Sequence, residues 1–112
     1  MRVYIAGPYS EGDTAVNVAR AIAAADAVLC AGHTPFLPHL SHFWHLLHHH
    51  PYEMWMAYTR VWLMVCDALI RLSGESPGVD SEAHLARSQQ IPVYYSVEEF
   101  LHGNPPASAP DS

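Results

Sequence analysis

Two short segments carry the side chains best suited to chemistry. Residues 7–10 (GPYS) follow a short apolar run, and residues 76–78 (SPG) precede Glu82 by four positions. Glycines allow a ligand to approach the backbone closely, and a serine hydroxyl near a helix N-terminus suits an anion. The carboxylate of Glu82 could act as a nucleophile that forms a covalent intermediate. On the pattern alone, a plain strand-to-helix turn is the better interpretation of the first segment, and an ordinary acidic residue at a helix start is the better interpretation of Glu82.

Histidines form the second concentration of reactive groups. Seven of the nine lie between positions 33 and 50. If this stretch were helical, His42, His45 and His49 would share one face, and His39 could join them, so a metal site is conceivable. No cysteine or carboxylate interrupts the stretch with zinc-like spacing, which favours a loop that is solvated or contacts a ligand. We therefore predict neither a metal nor a cofactor.

Composition limits the classes of function. The chain has 112 residues, half of them hydrophobic, with a net charge of −6 and no lysine. This predicts one globular domain over residues 1–102 and a disordered, proline-rich tail over 103–112. An acidic chain disfavours nucleic acid and anionic membranes as partners. The absence of a long apolar stretch and the two cysteines in apolar segments predict a cytoplasmic protein with reduced thiols.

Short apolar runs alternate with segments of helical spacing. Strands are predicted at 2–6, 34–37, 67–72 and 92–95, and helices at 14–31, 54–65, 81–90 and 97–101. This alternation predicts an α/β fold, a Rossmann/flavodoxin-like three-layer sandwich with a small parallel sheet of strand order 2-1-3-4. Ligands bind such sheets where the strand order reverses, so the loops at 7–13 and 73–81 should face each other. Glu82 would lie in the first helical turn, where the helix dipole favours an ionised carboxylate.

The predicted helix over 54–65 is apolar on almost every side. Thr59 and Arg60 are its main polar residues. A helix of this kind must be covered on several sides, and one small domain covers only one of them. We therefore predict a homodimer or a larger homo-oligomer that uses this helix.

Three segments carry a family resemblance. VYIAGPYS at 3–10, CDALIRLSGESPGVDSE at 66–82 and AHLARSQQIPVYY at 83–95 resemble the nucleoside 2-deoxyribosyltransferase-like superfamily over about residues 2 to 96. The most specific part is the S-x-G-x-x-x-E pattern between a strand and an Ala-rich helix. The resemblance implies cleavage of the N-glycosidic bond of a nucleoside 5′-monophosphate or nucleoside. Exchange of bases by a 2-deoxyribosyltransferase is the alternative, and a nucleotide-binding module without turnover is a further one.

The resemblance also assigns roles to residues. Glu82 matches the catalytic glutamate nucleophile, and Ser76 matches a serine that binds the 5′-phosphate. The substrate-binding residues implied are Tyr4, Gly7, Pro8, Tyr9, Ser10, His39, Ser76 and Gly78. Phe43 and Trp44 join His39 as candidates to contact the base. Thr59 stands where family members usually have an aspartate, so either another group replaces that acid or the activity is lost or changed.

Overall fold

The structure, a computed structural model, describes residues 1–103. The elements in chain order are β1 (Arg2–Ala6), α1 (Thr14–Cys30), β2 (Thr34–Phe36), a 3-10 turn (Pro38–Leu40), α2 (Ser41–Leu47), α3 (Tyr52–Leu63), β3 (Ala68–Arg71), α4 (Pro77–Ser88), β4 (Val93–Tyr94) and α5 (Val97–Leu101). The predicted tail lies, from residue 104 onward, outside the described residues. Within residues 1–103, every helix is too short or too polar to cross a membrane.

The four strands form one parallel sheet of order β2-β1-β3-β4, as predicted. β1 occupies an inner position, where Val3 pairs with Pro35 of β2 and with Ala68 of β3. Because sequence neighbours β1 and β2 lie on one side and β3 and β4 on the other, the strand order reverses between β1 and β3. The carboxyl ends of these two strands therefore mark the expected ligand crevice.

The sheet is covered by helices on both faces, which confirms the three-layer architecture. Successive side chains of a strand point to opposite faces, so Val3 and Ile5 pack against α1 while Tyr4 and Ala6 point the other way. We call these the α1 face, covered by α1 and α5, and the α4 face, covered by α3 and α4. The small residues Ala21 and Ala25 let α1 lie close to its side of the sheet.

Helix α4 begins four residues earlier than predicted. Ser76 is its N-cap and accepts a hydrogen bond from the backbone N–H of Val79 at 3.3 Å, and Pro77 follows at the first helical position. Serine followed by proline is a strong helix start, because the serine oxygen satisfies one free N–H and the proline removes another. Glu82 consequently lies in the second turn, so its predicted first-turn position is wrong.

The histidine-rich stretch is not the loop that the sequence favours, because it contains the 3-10 turn and the seven-residue helix α2. α2 ends at Leu47, and the next helix begins at Tyr52. The expectation that His42, His45 and His49 share a helix face is therefore wrong, since His49 lies beyond the helix. Residues 48–51 instead form a short connection between α2 and α3. In this arrangement the ring centroids of His45 and His49 lie 4.5 Å apart.

Candidate functional site

A cavity of about 450 Å³ lies at the crevice, enclosed by α3, α4, the β1–α1 loop and the segment around α2. Seven of the nine predicted site residues line it, namely Gly7, Tyr9, Ser10, His39, Ser76, Gly78 and Glu82. Of the other two, Tyr4 lies behind Glu82 on β1, and Pro8 turns its ring toward the neighbouring loop.

The two loops face each other, as the topology predicts. Gly74 adopts φ +121°, and a Cβ built on it would lie 2.7 Å from Cγ of Pro8. Arg20 of α1 reaches the same loop and donates to the carbonyl of Ser73 at 3.1 Å. A glycine at position 74 is therefore required both by its backbone conformation and by the close approach of the two loops.

Glu82 is held by a long-range pair with Tyr4. The Tyr4 hydroxyl donates a hydrogen bond to Oε2 of Glu82 across 78 positions of sequence. Tyr4 is fully buried on the α4 face and packs against Phe36. Thr59 of α3 is also buried, and its hydroxyl interacts with Tyr4 in addition to donating to the carbonyl of Trp55 at 3.1 Å. The sheet and both helices of this face thus fix the orientation of one carboxyl group.

Burial controls the charge of this carboxyl group. Desolvation raises the pKa of Glu82 to about 7, although the Tyr4 hydrogen bond and the charge of Arg60 act in the opposite direction. Burial thus opposes ionisation of Glu82, whereas the sequence-based expectation was a carboxylate that the helix dipole keeps ionised. Burial and the nearby Glu82 charge raise the pKa of Tyr4, which remains a hydrogen-bond donor.

The start of α4 supplies polar donors to the cavity. Ser76 is buried and lines the cavity, and because its oxygen accepts from Val79 N–H, its hydroxyl proton can still be donated. A Cβ on Gly78 would lie 3.0 Å from the Tyr52 hydroxyl, so a larger residue there would require the exposed Tyr52 side chain to shift by a few tenths of an ångström. Together with the Ser10 hydroxyl, this N-terminus offers neutral hydrogen-bond donors to an anion.

His39 stabilises the β1–α1 loop through a hydrogen bond to its backbone. Its ring is buried, and Nε2 donates to the carbonyl of Pro8 at 3.0 Å. Burial lowers the pKa of His39, which keeps the imidazole neutral at physiological pH. Tyr9, in the same loop, hydrogen-bonds His42 through its hydroxyl and accepts at its carbonyl from Asn17. These contacts hold the loop against the cavity.

Sequence reasoning missed one side of the cavity. We call it the aromatic wall, and it consists of His45, His50, Tyr52, Trp55 and Met56. Phe43 and Trp44, the predicted base contacts, are instead about half exposed and lie outside the cavity. A signal was present, because Trp55 precedes Thr59 by one helical turn and therefore lies on the same face of α3.

Metal binding receives no support from the described residues. Within residues 1–103, no three His, Cys, Asp or Glu side chains converge in a way that could hold an ion. The histidine rings are distributed among separate contacts with Pro8, Tyr9 and Trp55. The site is thus a cavity with one buried carboxyl group, several neutral donors and an aromatic side.

Comparison with known proteins gives one match. A family model described as "Domain of unknown function (DUF7768)" matches residues 1–96, which include all four strands and every residue that lines the cavity. No curated protein and no solved structure matches the chain.

Proposed function

We propose that the chain, which belongs to the family described as a domain of unknown function (DUF7768), cleaves the N-glycosidic bond of a nucleoside 5′-monophosphate. The observation that carries the proposal is the Glu82 carboxyl group, held by the Tyr4 hydroxyl in a cavity large enough for a nucleotide. The resemblance of the S-x-G-x-x-x-E segment to nucleotide N-glycosidases supports the same assignment.

Glu82 acts as the nucleophile in the proposed reaction. Its ionised carboxylate attacks the anomeric carbon, the C–N bond breaks, and the bonding electron pair leaves with the base, which takes a proton from water. The negative carboxylate stabilises the positive charge that develops on the sugar, and a glycosyl ester forms. Water then attacks the anomeric carbon, the bond to Glu82 breaks with its electron pair returning to the carboxylate, and the proton that this water loses neutralises the hydroxide left when the base was protonated. Tyr4 orients the carboxyl group throughout, since it donates to Oε2.

The start of α4 is proposed to bind the phosphate. The hydroxyls of Ser76 and Ser10 and the N-terminus of a twelve-residue helix all lie at the cavity. Hydroxyl and backbone donors bind a phosphate dianion well, because hydrogen bonds to a charged acceptor are stronger than neutral ones. This favours a monophosphate over a nucleoside as the substrate.

A nucleotide-binding module without turnover is the second candidate. Thr59 stands where the related enzymes usually have an acid, and a hydroxyl bonded to its own helix cannot replace an ionisable group. The raised pKa of Glu82 also leaves part of the population without a nucleophile at neutral pH. Binding with no base release would favour this candidate.

The deciding experiment is a screen of nucleosides and their monophosphates for base release by chromatography, with and without a second free base. We expect release of free base. Formation of a new nucleoside or nucleotide that carries the second base would instead indicate a transferase. Glu82→Gln should lower the rate by about 1,000-fold or more while nucleotide binding persists, because the transition state loses its partner. Glu75→Gln is the matched control, since Glu75 is exposed and does not line the cavity. A folded Glu82→Gln chain with normal base release would contradict the mechanism.

The proposed compartment is the cytoplasm. Both cysteines, the exposed Cys30 and the buried Cys66, are free thiols. Free thiols persist in reducing compartments, which supports this location. Nucleoside monophosphates are also expected there as substrates of salvage reactions.

A further inference from the structure

We propose that His45 and Trp55 bind the base of the ligand, with His45 donating a hydrogen bond to an acceptor on the edge of the base. The inference rests on the proposed function for the identity of the ligand as a nucleotide. It assigns binding of the base to the aromatic wall, whereas Glu82 is proposed to attack the sugar and the start of α4 to bind the phosphate.

The tautomer of His45 is fixed by its neighbours. Its Nδ1 accepts a hydrogen bond from the indole N–H of Trp55 at 2.9 Å and another from the backbone N–H of His50 at 3.3 Å. A ring nitrogen that accepts hydrogen bonds carries no proton, so the proton of the neutral imidazole lies on Nε2. His45 is therefore a hydrogen-bond donor at its far end.

That donor is accessible. Nε2 of His45 makes no hydrogen bond within residues 1–103, yet it is not among the buried atoms that lack a partner. The ring itself lines the cavity. A donor that is exposed at a cavity and unused by the protein is suited to a ligand acceptor, such as a ring nitrogen or carbonyl oxygen of a nucleobase.

Trp55 provides the planar surface next to this donor. Its indole N–H is used by His45, and its ring meets Trp44 edge-on at 5.1 Å and His50 at 5.5 Å between centroids. These contacts fix the plane of the indole, which is part of the cavity lining. A fixed indole favours stacking with a planar heteroaromatic ring.

The arrangement argues for a base rather than a metal. The Nδ1 lone pair of His45 is already occupied, and within the described residues no three His, Cys, Asp or Glu side chains converge in a way that could hold an ion. A flat ring with an acceptor on its edge satisfies both the indole face and the imidazole N–H at once. The ligand class is therefore a nucleotide whose base retains such an acceptor.

Binding measurements on the Glu82→Gln chain, which should not consume its ligand, test the inference. The probes are adenosine 5′-monophosphate, uridine 5′-monophosphate and ribose 5-phosphate, measured by calorimetry. His45→Asn removes the Nε2 donor, whereas His45→Gln places an amide N–H near the same position. We expect His45→Asn to weaken at least one nucleotide by about fivefold to tenfold, the value of one hydrogen bond, and His45→Gln to restore most of the loss. Ribose 5-phosphate should bind equally to all variants.

Two further variants complete the design. His48→Asn is the matched control, because His48 is exposed in the same stretch and does not line the cavity. Trp55→Phe keeps a stacking ring but removes the indole N–H, so the imidazole proton can move to Nδ1. We expect an intermediate loss of nucleotide affinity and no change for ribose 5-phosphate.

The outcomes separate this inference from the proposed function. No effect of His45→Asn, equal weakening of nucleotide and ribose 5-phosphate, or no binding of any probe would overturn the inference. If base release depends on Glu82 but His45→Asn leaves nucleotide binding unchanged, the proposed function stands without it. If His45→Asn acts selectively on nucleotides while the unmodified chain releases no base, the inference stands and the chain is a binding module.

Discussion

Two buried tyrosines on opposite faces of one sheet have different surroundings. Tyr4 of β1 lies on the α4 face, and its hydroxyl meets the carboxyl group of Glu82. Tyr94 of β4 lies on the α1 face, where its ring packs edge-on against Phe100 at 5.3 Å between centroids. Both are nearly inaccessible to solvent. Burial alone therefore does not create a site, whereas burial together with an ionisable neighbour does.

The helices that cover the two faces differ in the same way. α1 seals its face with small apolar residues, among them Ala21 and Val28. α3 buries only Thr59 and Leu63, and five of its twelve residues are exposed large hydrophobic side chains, against three of seventeen in α1. The α4 face thus holds the buried carboxyl group and carries the more apolar outer surface, and each of the following predictions tests this difference between the faces.

The largest expected effect is on pH dependence. Because the proposed mechanism requires ionised Glu82, whose pKa burial raises to about 7, kcat/KM should rise about a hundredfold between pH 5 and pH 8. A nucleoside is the appropriate substrate, since it carries no titrating phosphate. Carbon NMR of the Glu82 carboxyl group, assigned by its loss in Glu82→Gln, should show a midpoint near pH 7. A midpoint below pH 5 would mean that Glu82 ionises like an exposed carboxyl group, which would contradict the prediction.

Stability should follow the same ionisation. The folded pKa of Glu82 lies above the ordinary value of 4.5, so the folded state binds the proton more tightly. This contribution to the free energy of unfolding is complete below about pH 4.5 and is lost as the pH rises through about 7. Denaturant titrations should show that the Glu82→Gln chain, which is always neutral there, loses less stability over this range.

Removal of each tyrosine hydroxyl compares the faces directly. Tyr4→Phe should lower base release by about tenfold to a hundredfold, because a hydrogen bond to a charged group is lost. The pH midpoint should also move upward, since that hydrogen bond lowers the pKa of Glu82. Tyr94→Phe, the matched control on the α1 face, should leave both quantities unchanged. Equal losses of base release in Tyr4→Phe and Tyr94→Phe would mean that the two hydroxyls act only through the stability of the fold, and that the Tyr4 hydroxyl has no specific role at Glu82.

Self-association tests the exposed side of α3. We propose that a second copy of the chain covers it, because Val61 is 67% exposed beside Trp62 and Met64. Val61→Glu should weaken the dimer by about tenfold, since an unpaired charge would be buried in the interface. Val16→Glu, at a 54% exposed position of α1, should have no such effect. A 12.4 kDa monomer of the unmodified chain at micromolar concentration in sedimentation experiments would contradict the proposal.

Two N-cap serines give the smallest expected difference. Ser76 caps α4 beside the cavity, and Ser96 caps α5 through the N–H of Glu99 on the other face. Replacing either by alanine should cost about 1 kcal/mol in the free energy of unfolding. Only Ser76→Ala should also weaken binding of a monophosphate, by about fivefold relative to its nucleoside. If the two ligands weaken equally, Ser76 does not bind the phosphate.

Most of the fold could be predicted from local patterns. Strand-length apolar runs, such as residues 2–6, and the helical spacing from Thr14 onward fixed the element order, and parallel connectivity then restricted the strand order. The loops at 7–13 and 73–81 were correctly predicted to face each other for the same reason. Two local predictions were wrong. The serine and proline at 76 and 77 were interpreted as part of a turn although they begin α4, and the helix α2 was not predicted within the histidine-rich stretch.

The site was predicted less completely, because its contacts join distant positions. Tyr4 meets Glu82 across 78 positions, and His45 meets Trp55 through a connection that no periodicity reveals. The glycine, serine and glutamate residues at the cavity could be named because the segments that carry them resemble a known enzyme family, whereas their spacing alone also fits an ordinary turn and helix start. The charge of Glu82 could not be predicted from the sequence, since a pKa depends on how much water the surrounding atoms exclude.

The sequence by itself therefore determined the layers, the strand order and the edge of the sheet at which the cavity lies, since these follow from residue periods and chain connectivity. Only the tertiary structure decided that Trp55 rather than Trp44 lines the cavity, and that burial raises the pKa of Glu82 to about 7. The physical reason is that desolvation and side-chain pairing depend on atoms brought together from remote parts of the chain, and these interactions leave no local pattern in the sequence.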